Sequence, residues 1–191
     1  IKKIDDRPIH YERKNSIADI ESTMYPSMEV TEKTDQMNSD KPYFICEYSH
    51  AMGNSIGNLP ERWDYIENHS KRMIGACIWD WVDQGINKYG EQPDRYYFGG
   101  GCGDQPNDYN FCCNGIVTPD RQKTPKLFEV KKVYQYIKFK AIDAKAGKIE
   151  IQNRYDFFNL NLFDLEWRLL KNGYPVETGT MDLGDVTPNS N

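Results

Sequence analysis

The segment YFICEYSHAMGNS, residues 43 to 55, sets aromatic and apolar residues directly against a carboxylate. Tyr43, Phe44, Ile45 and Cys46 lead into Glu47, and Tyr48, Ser49 and His50 follow. A run of that kind suits a strand buried on both faces, as in a parallel sheet. Ligands in such sheets bind beyond the carboxyl ends of the strands, where loops converge. A carboxylate at that point, beside aromatic walls, suits attack on an anomeric carbon, with a ring face packed on the apolar side of a sugar. The alternative is a strand terminus held by a salt bridge.

Other residues fall into the same frame. RPIHYE, residues 7 to 12, reads as a short strand ending on Glu12, and MIGACIWDW, 73 to 81, as one carrying Trp79 and Asp80. Trp79 and Trp81 alternate, which places one in the core and the other toward a pocket. His50 alone suits a packed or hydrogen-bonding histidine, and Asp80 and Asp83 suit turn caps. NDYNFCCNG, 107 to 115, offers Asn, Asp and carbonyl oxygens, although ordinary turn chemistry accounts for them. FGGGCGD, 98 to 104, lacks the Lys-Ser/Thr and the following helix of a phosphate loop.

The elements that position these groups are legible in outline. Arg13 to Asp40 is polar and weakly periodic, hence a covering or functional loop. Asn58 is the expected N-cap of a helix to about His69, with Glu61 completing a variant capping box. Leu59, Trp63 and Ile66 make its apolar stripe. Residues 82 to 121 are irregular. A last helix starts at Thr124-Pro125, with Leu127, Val130, Tyr134 and Ile137 on its apolar face. From about Lys138 the pattern alternates, with a hairpin turn at Asn172-Gly173, as in a β-sandwich-like module.

The totals narrow the function. The 191 residues carry a formal charge of -5, with a pI near 5.3, which argues against nucleic acid or an anionic membrane as partner. No apolar run is long enough to span a bilayer. Five cysteines without a C-x-x-C pair read as reduced, packing thiols rather than a zinc or redox motif. Only 38% of residues are hydrophobic, lean for a self-sufficient core.

ICEYSHAMGNSIG closely resembles the nucleophile motif of the large microbial β-galactosidases of glycoside hydrolase family 2. IWDWVDQGI and GDQPNDYNFCCNGIV resemble that family's next two blocks in order and spacing, and RPIHYE and TMYPSM its preceding strand and loop. The resemblance implies an α/β fold: the last three strands of a (β/α)8 TIM barrel over residues 1–137, then a truncated, immunoglobulin-like β-sandwich over 138–191. It implies Glu47 as the nucleophile, Tyr25 as its hydrogen-bond partner, and His50 and Trp79 as sugar contacts. Asn107 and Asp108 match polar residues of the same loop, with Asn107 taken as substrate-binding. The Phe111 carbonyl and the Asn114 side chain would hold a monovalent cation, sodium or potassium. The family's acid/base glutamate and magnesium ligands have no counterpart here, so the chain alone is expected to be inactive and to need the remainder of a longer enzyme. Gly101 and Cys102 replace a carboxylate and an aromatic residue of the family pattern, and Cys113 a larger apolar one. The expected substrate is a terminal β-D-galactoside such as lactose. The expected compartment is the cytoplasm, with the periplasm as the alternative, and a homo-oligomer is left open. The rival reading is a non-catalytic carbohydrate-binding or complementing fragment.

Overall fold

The structure, a computed structural model, describes residues 1–88 and 94–191. The chain forms two compact units, Ile1–Tyr134 and Gln135–Asn191. The first is built on a three-stranded parallel sheet in the order β1-β2-β3, with β1 at Glu21–Met24, β2 at Tyr43–Tyr48 and β3 at Met73–Ile78. Three helices accompany it: α1 at Met28–Asp35, α2 at Leu59–Asp64 and α3 at Pro125–Val133. A wider π-helical turn, Tyr65–His69, extends α2.

The core lies on one face of β2. Tyr43, Ile45 and Tyr48 pack with Leu59 of α2 and Val133 of α3, and Trp63, Val130 and Tyr134 close around them. The Tyr48 and Tyr134 hydroxyls hydrogen-bond to each other, and the Trp63 and Tyr134 rings lie 4.3 Å apart, centroid to centroid. Full burial of an Ile or Leu such as Ile45 or Leu59 contributes about 1.5–3 kcal/mol each, which accounts for the hold of these helices on β2.

Buried positions along β2 do not alternate strictly. Tyr43 and Ile45 are buried, and the next buried residue is Tyr48. Pairing with β3 shifts between Ile45 and Tyr48, and pairing with β1 shifts between Thr23 and Met24. Strict alternation would put Glu47 on the core face with Ile45. The irregularity resets the alternation, as a bulge does, so that Tyr48 takes the core and Glu47 is left off it.

The amino ends of the strands are tied by a buried polar network. The Asp35 carboxylate accepts from the Lys71 and Arg72 N–H groups at 2.9 and 3.1 Å and from the Tyr65 hydroxyl at 2.9 Å. Arg72 pairs with Glu21 at 2.6 Å. It also donates to the carbonyls of Lys41, Asp35 and Thr34 and stacks over the Tyr43 ring.

Five expectations are corrected. Residues 7 to 12 form no strand: Pro8 removes a ladder donor, and the segment keeps a single parallel bridge, His10 to Ile20. The strand beside β2 is β1, inside the stretch expected as loop, and Glu12 therefore closes no strand. The Asn15 side-chain amide covers the outer edge of β1 by bonding both the N–H and the carbonyl of Ser22. Helix α1 lies in that same stretch. Its buried residues are Thr31 and Asp35, so its inward face is polar and gives no apolar period. Asn58 has φ of 57° and makes no side-chain cap; it supplies the left-handed turn its residue type tolerates. Helix α3 ends at Val133, and Ile137 opens a strand instead. β3 stops at Ile78, so strand alternation does not reach Trp81, which is 56% exposed rather than core.

The second unit holds two antiparallel hairpins, β4 (Ile137–Asp143) with β5 (Lys148–Asn153) and β6 (Asp164–Lys171) with β7 (Tyr174–Asp182). Lys171 pairs with Tyr174 across the expected Asn172-Gly173 turn, and both turn residues have positive φ, the backbone of a tight hairpin. Fully buried Asn153 pins the unit by donating to the Phe158 and Val186 carbonyls at 2.8 and 2.9 Å.

Arg72→Ala removes one side of a buried ion pair and leaves Glu21 uncompensated. A loss of about 3–5 kcal/mol is expected, read as a lower midpoint in denaturant unfolding. A midpoint equal to the parent's would contradict the role given to the network.

Candidate active site

The carboxyl ends of the three strands carry Tyr25, Glu47 and Trp79. Tyr25 follows β1 directly and stands beside Glu47. Its N–H donates to the Glu47 carbonyl at 2.8 Å, and its phenol lies near the Glu47 carboxylate. Burial, then the neighbouring carboxylate, push the Tyr25 phenol well above the ordinary tyrosine value. It therefore stays protonated at neutral pH. The bond to the Glu47 carbonyl is made with Tyr25 at φ of 47°, a left-handed backbone that costs a non-glycine residue about 1–2 kcal/mol.

After Tyr48 the chain leaves the sheet. Ser49 takes φ of 49°, and His50 comes to lie beside Tyr25, with ring centroids 5.9 Å apart. On the other side the His50 ring stacks on Phe111 at 5.8 Å. The Met52 N–H points at His50 Nδ1 at 3.4 Å. Trp79 is fixed by its main chain: its N–H donates to the Tyr48 carbonyl at 3.1 Å, and its carbonyl accepts from Ala51 N–H at 2.6 Å.

An open cleft of about 370 Å³ lies alongside, lined by Trp79, Gln84, Asp104, Asn107, Phe111 and Asn114 among others. Asn107 Oδ1 accepts from Tyr109 N–H at 3.1 Å, and its Nδ2 donates to the Asp104 carbonyl at 3.0 Å. The turn chemistry expected for 107–115 is present, and the same residues wall the cleft. Asn114 is 3% exposed. Its Nδ2 donates to the Phe111 carbonyl at 3.0 Å, while its buried Oδ1 has no partner. One buried amide oxygen is thus left unsatisfied, a state that a small cation would relieve.

The seven residues singled out from the sequence thus form a continuous set. Glu47 touches Tyr25, Tyr25 neighbours His50, His50 stacks on Phe111, and Phe111 shares the cleft with Trp79, Asn107 and Asn114. Asp80 and Asp83 serve turns: Asp80 accepts from Trp81 N–H and the Gln84 amide, and Asp83 accepts from Gly115 N–H at 2.7 Å. Glu12 pairs with its neighbour Arg13 at 3.0 Å. Sequence reasoning missed Lys126, whose ammonium holds the Ala51 carbonyl at 2.7 Å and so steadies the loop after His50. It also missed Gln84 and Tyr109 in the cleft wall. Tyr109 lies close against Gly99, where a Cβ would fall 1.8 Å from the Tyr109 carbonyl oxygen.

The comparisons with known proteins agree with this geometry. A family model described as glycosyl hydrolases family 2, TIM barrel domain, matches residues 1–139, and one described as beta-galactosidase, domain 4, matches residues 149–191. The chain belongs to glycosyl hydrolase family 2, and residues 1–139 come from its TIM barrel domain. A beta-galactosidase of Priestia megaterium is 44% identical over 182 residues, covering 92% of this chain and 18% of that protein. One from Psychromonas ingrahamii is 38% identical over 159 residues, covering 83% of this chain and 15% of its own length. One from Aeromonas hydrophila is 39% identical over 144 residues, 75% of this chain and 14% of its own. The chain therefore spans less than a fifth of the length of these relatives. Among the described residues no helix is long and apolar enough to cross a membrane.

Gly115 follows Asn114 where a Cβ would stand 2.0 Å from the Asp83 nitrogen and 2.2 Å from the Val82 carbonyl carbon. Backbone cannot yield as a side-chain tip can. Gly115→Ala is expected to destabilise by about 1–3 kcal/mol or more and to displace Asn114, read as a lower melting temperature. An unchanged melting temperature would show that this close approach is not a constraint.

Proposed function

We propose that this chain carries the nucleophile half of a retaining β-galactosidase site, within the hydrolase that its family membership indicates. The observation that carries the reading is Glu47 at the carboxyl end of a parallel sheet, its carbonyl bonded by the Tyr25 N–H at 2.8 Å and its carboxylate near the Tyr25 phenol. In this reading Glu47 attacks as the carboxylate. Glu47 bonds to the anomeric carbon while a second carboxyl protonates the departing oxygen. Water then releases the sugar with overall retention of configuration. In such enzymes the two carboxyl groups stand about 5–5.5 Å apart. Glu12, paired with Arg13 and closing no strand, is not placed for that second role. The acid/base is therefore assigned to a residue outside this chain.

His50, Trp79 and Asn107 hold the sugar: the imidazole and amide reach hydroxyls, and the indole packs on the apolar ring face. The Phe111 carbonyl and Asn114 Oδ1 are the residues that would hold a monovalent cation, sodium or potassium, which supplies a fixed positive charge beside the sugar hydroxyls. The orphaned buried oxygen supports this assignment. Magnesium in the complete enzyme is assigned to ligands outside this chain. β1, β2 and β3 are read as the sixth to eighth strands of the barrel, and the hairpins of the second unit as the start of a β-sandwich. The partners are a terminal β-D-galactoside and the remainder of the enzyme, with neither nucleic acid nor membrane. The relatives, each a beta-galactosidase, support the galactoside reading.

The rival is a carbohydrate-binding role without chemistry at Glu47. Glu47→Gln in the complete enzyme separates the two. A fall in kcat of at least about 10³-fold with galactoside binding retained is expected, together with no turnover of nitrophenyl-galactoside by the 191-residue chain alone. Unchanged kcat in the variant would favour the binding role.

A further inference from the structure

Two cationic side chains stand outside the chemistry assigned so far. Lys126 of α3 and Arg62 of α2 are half-buried, whereas Lys131 and Lys132 of α3 are exposed. Each reaches a main-chain carbonyl far along the chain. Lys126 Nζ donates to the Ala51 carbonyl at 2.7 Å, and Arg62 Nη1 donates to the Pro26 carbonyl at 3.0 Å. Both carbonyls belong to the residue directly after a site ring: Ala51 follows His50, and Pro26 follows Tyr25. Those two rings are neighbours, with centroids 5.9 Å apart. Neither cation lines the cleft itself.

The loops so held are strained. Tyr25 has φ of 47°, and Ser49, just before His50, has φ of 49°. Left-handed backbone in a non-glycine residue persists only where its surroundings over-determine it. On one side, Tyr25 N–H is bonded to the Glu47 carbonyl at 2.8 Å, and Ser27 Oγ accepts from Val30 N–H at 3.2 Å at the start of α1. Arg62 closes the gap between these two points at Pro26, which has no N–H of its own. On the other side, fully buried Ala51 donates its N–H to the Trp79 carbonyl at 2.6 Å while its carbonyl accepts from Lys126. One residue therefore links the His50 loop to Trp79. A charged donor makes a stronger hydrogen bond than a neutral one. Both helices pack on β2 through Leu59, Trp63, Val130 and Val133, so the two anchors share one rigid frame.

We infer that Arg62 and Lys126 are a matched pair of positioning residues: each anchors the main chain behind one ring, and together they set the Tyr25–His50 contact that orients the sugar-binding loop. Residues that act through one contact couple energetically, whereas residues that act separately add. The effect on turnover rests on the hydrolase reading; the anchoring of the two loops does not.

The test is a double-mutant cycle in the complete enzyme with Lys126→Met, Arg62→Met and the two together, read as kcat/KM on nitrophenyl-galactoside and as hydrogen exchange by mass spectrometry. Each single variant is expected to lower kcat/KM about tenfold, the loss of one charge-assisted bond. The double variant should fall little further, well short of the roughly hundredfold product of independent effects. Lys126→Arg and Arg62→Lys, which keep a charged donor, should stay within about threefold of the parent. The Ala51 amide should exchange faster in Lys126→Met, and the Tyr25 amide faster in Arg62→Met. A lower melting temperature with unchanged kcat/KM would reduce both residues to structural supports and overturn the proposal. A full product in the double variant overturns the shared contact, and unchanged exchange overturns the anchors. If a methionine variant does not fold, the parent decides: slow exchange at the Ala51 and Tyr25 amides supports the anchors, and fast exchange overturns them. A parent enzyme without galactoside turnover counts against the hydrolase reading alone, and the exchange measurement still decides the anchors.

Discussion

The register break in β2 between Ile45 and Tyr48 is the constraint on which the site depends. A strand whose alternation ran unbroken would deliver a carboxylate into an apolar core, where an unpaired charge costs many kilocalories per mole. By resetting the alternation, the chain keeps Tyr48 in the core with Leu59 and Val133 and leaves Glu47 free to meet Tyr25. The matching shift in β1, where Met24 pairs with Glu47, brings Tyr25 to the same level. Its left-handed backbone is then fixed by the 2.8 Å bond from its N–H to the Glu47 carbonyl. The two matched irregularities thus position the carboxylate and the tyrosine beside it.

The two ends of the strands divide the work. At the amino ends, Arg72, Glu21 and Asp35 spend their charges on one another and on backbone groups, which ties β1, α1, β2 and β3 into a rigid frame. The carboxyl ends carry the candidate site. Asn114 Oδ1 and Ser49 Oγ are buried without partners, and Asn107, Gln84 and Trp79 face a cleft. Sites built on a rigid scaffold in this way lose little to reorganisation when charge develops on a substrate.

Much of this was legible in the sequence because the carriers are local. The apolar run before Glu47, the Asn172-Gly173 hairpin and the stripe from Leu59 to Trp63 each declare themselves within a few residues. The missed pieces are those whose partners lie far along the chain. β1 was hidden because Ser22 is a buried polar residue whose backbone groups, rather than an apolar side chain, tie the strand to Asn15. α1 was hidden because Thr31 and Asp35 turn a polar face inward, toward Lys71 and Arg72 of a later segment. The site residues were read as a set only through resemblance. Neither Tyr25 nor Phe111 shows from spacing that it will stand beside His50, since those contacts depend on loops of irregular backbone.

The central claim is that the side chain of residue 47 forms a bond to the sugar. The direct measurement is trapping of the complete enzyme with a fluorinated galactosyl inactivator, followed by peptide mapping of the labelled protein. The account predicts a covalent galactosyl label on Glu47, with loss of activity in step with labelling. A label carried by any other residue, or inactivation without a covalent adduct, would contradict it.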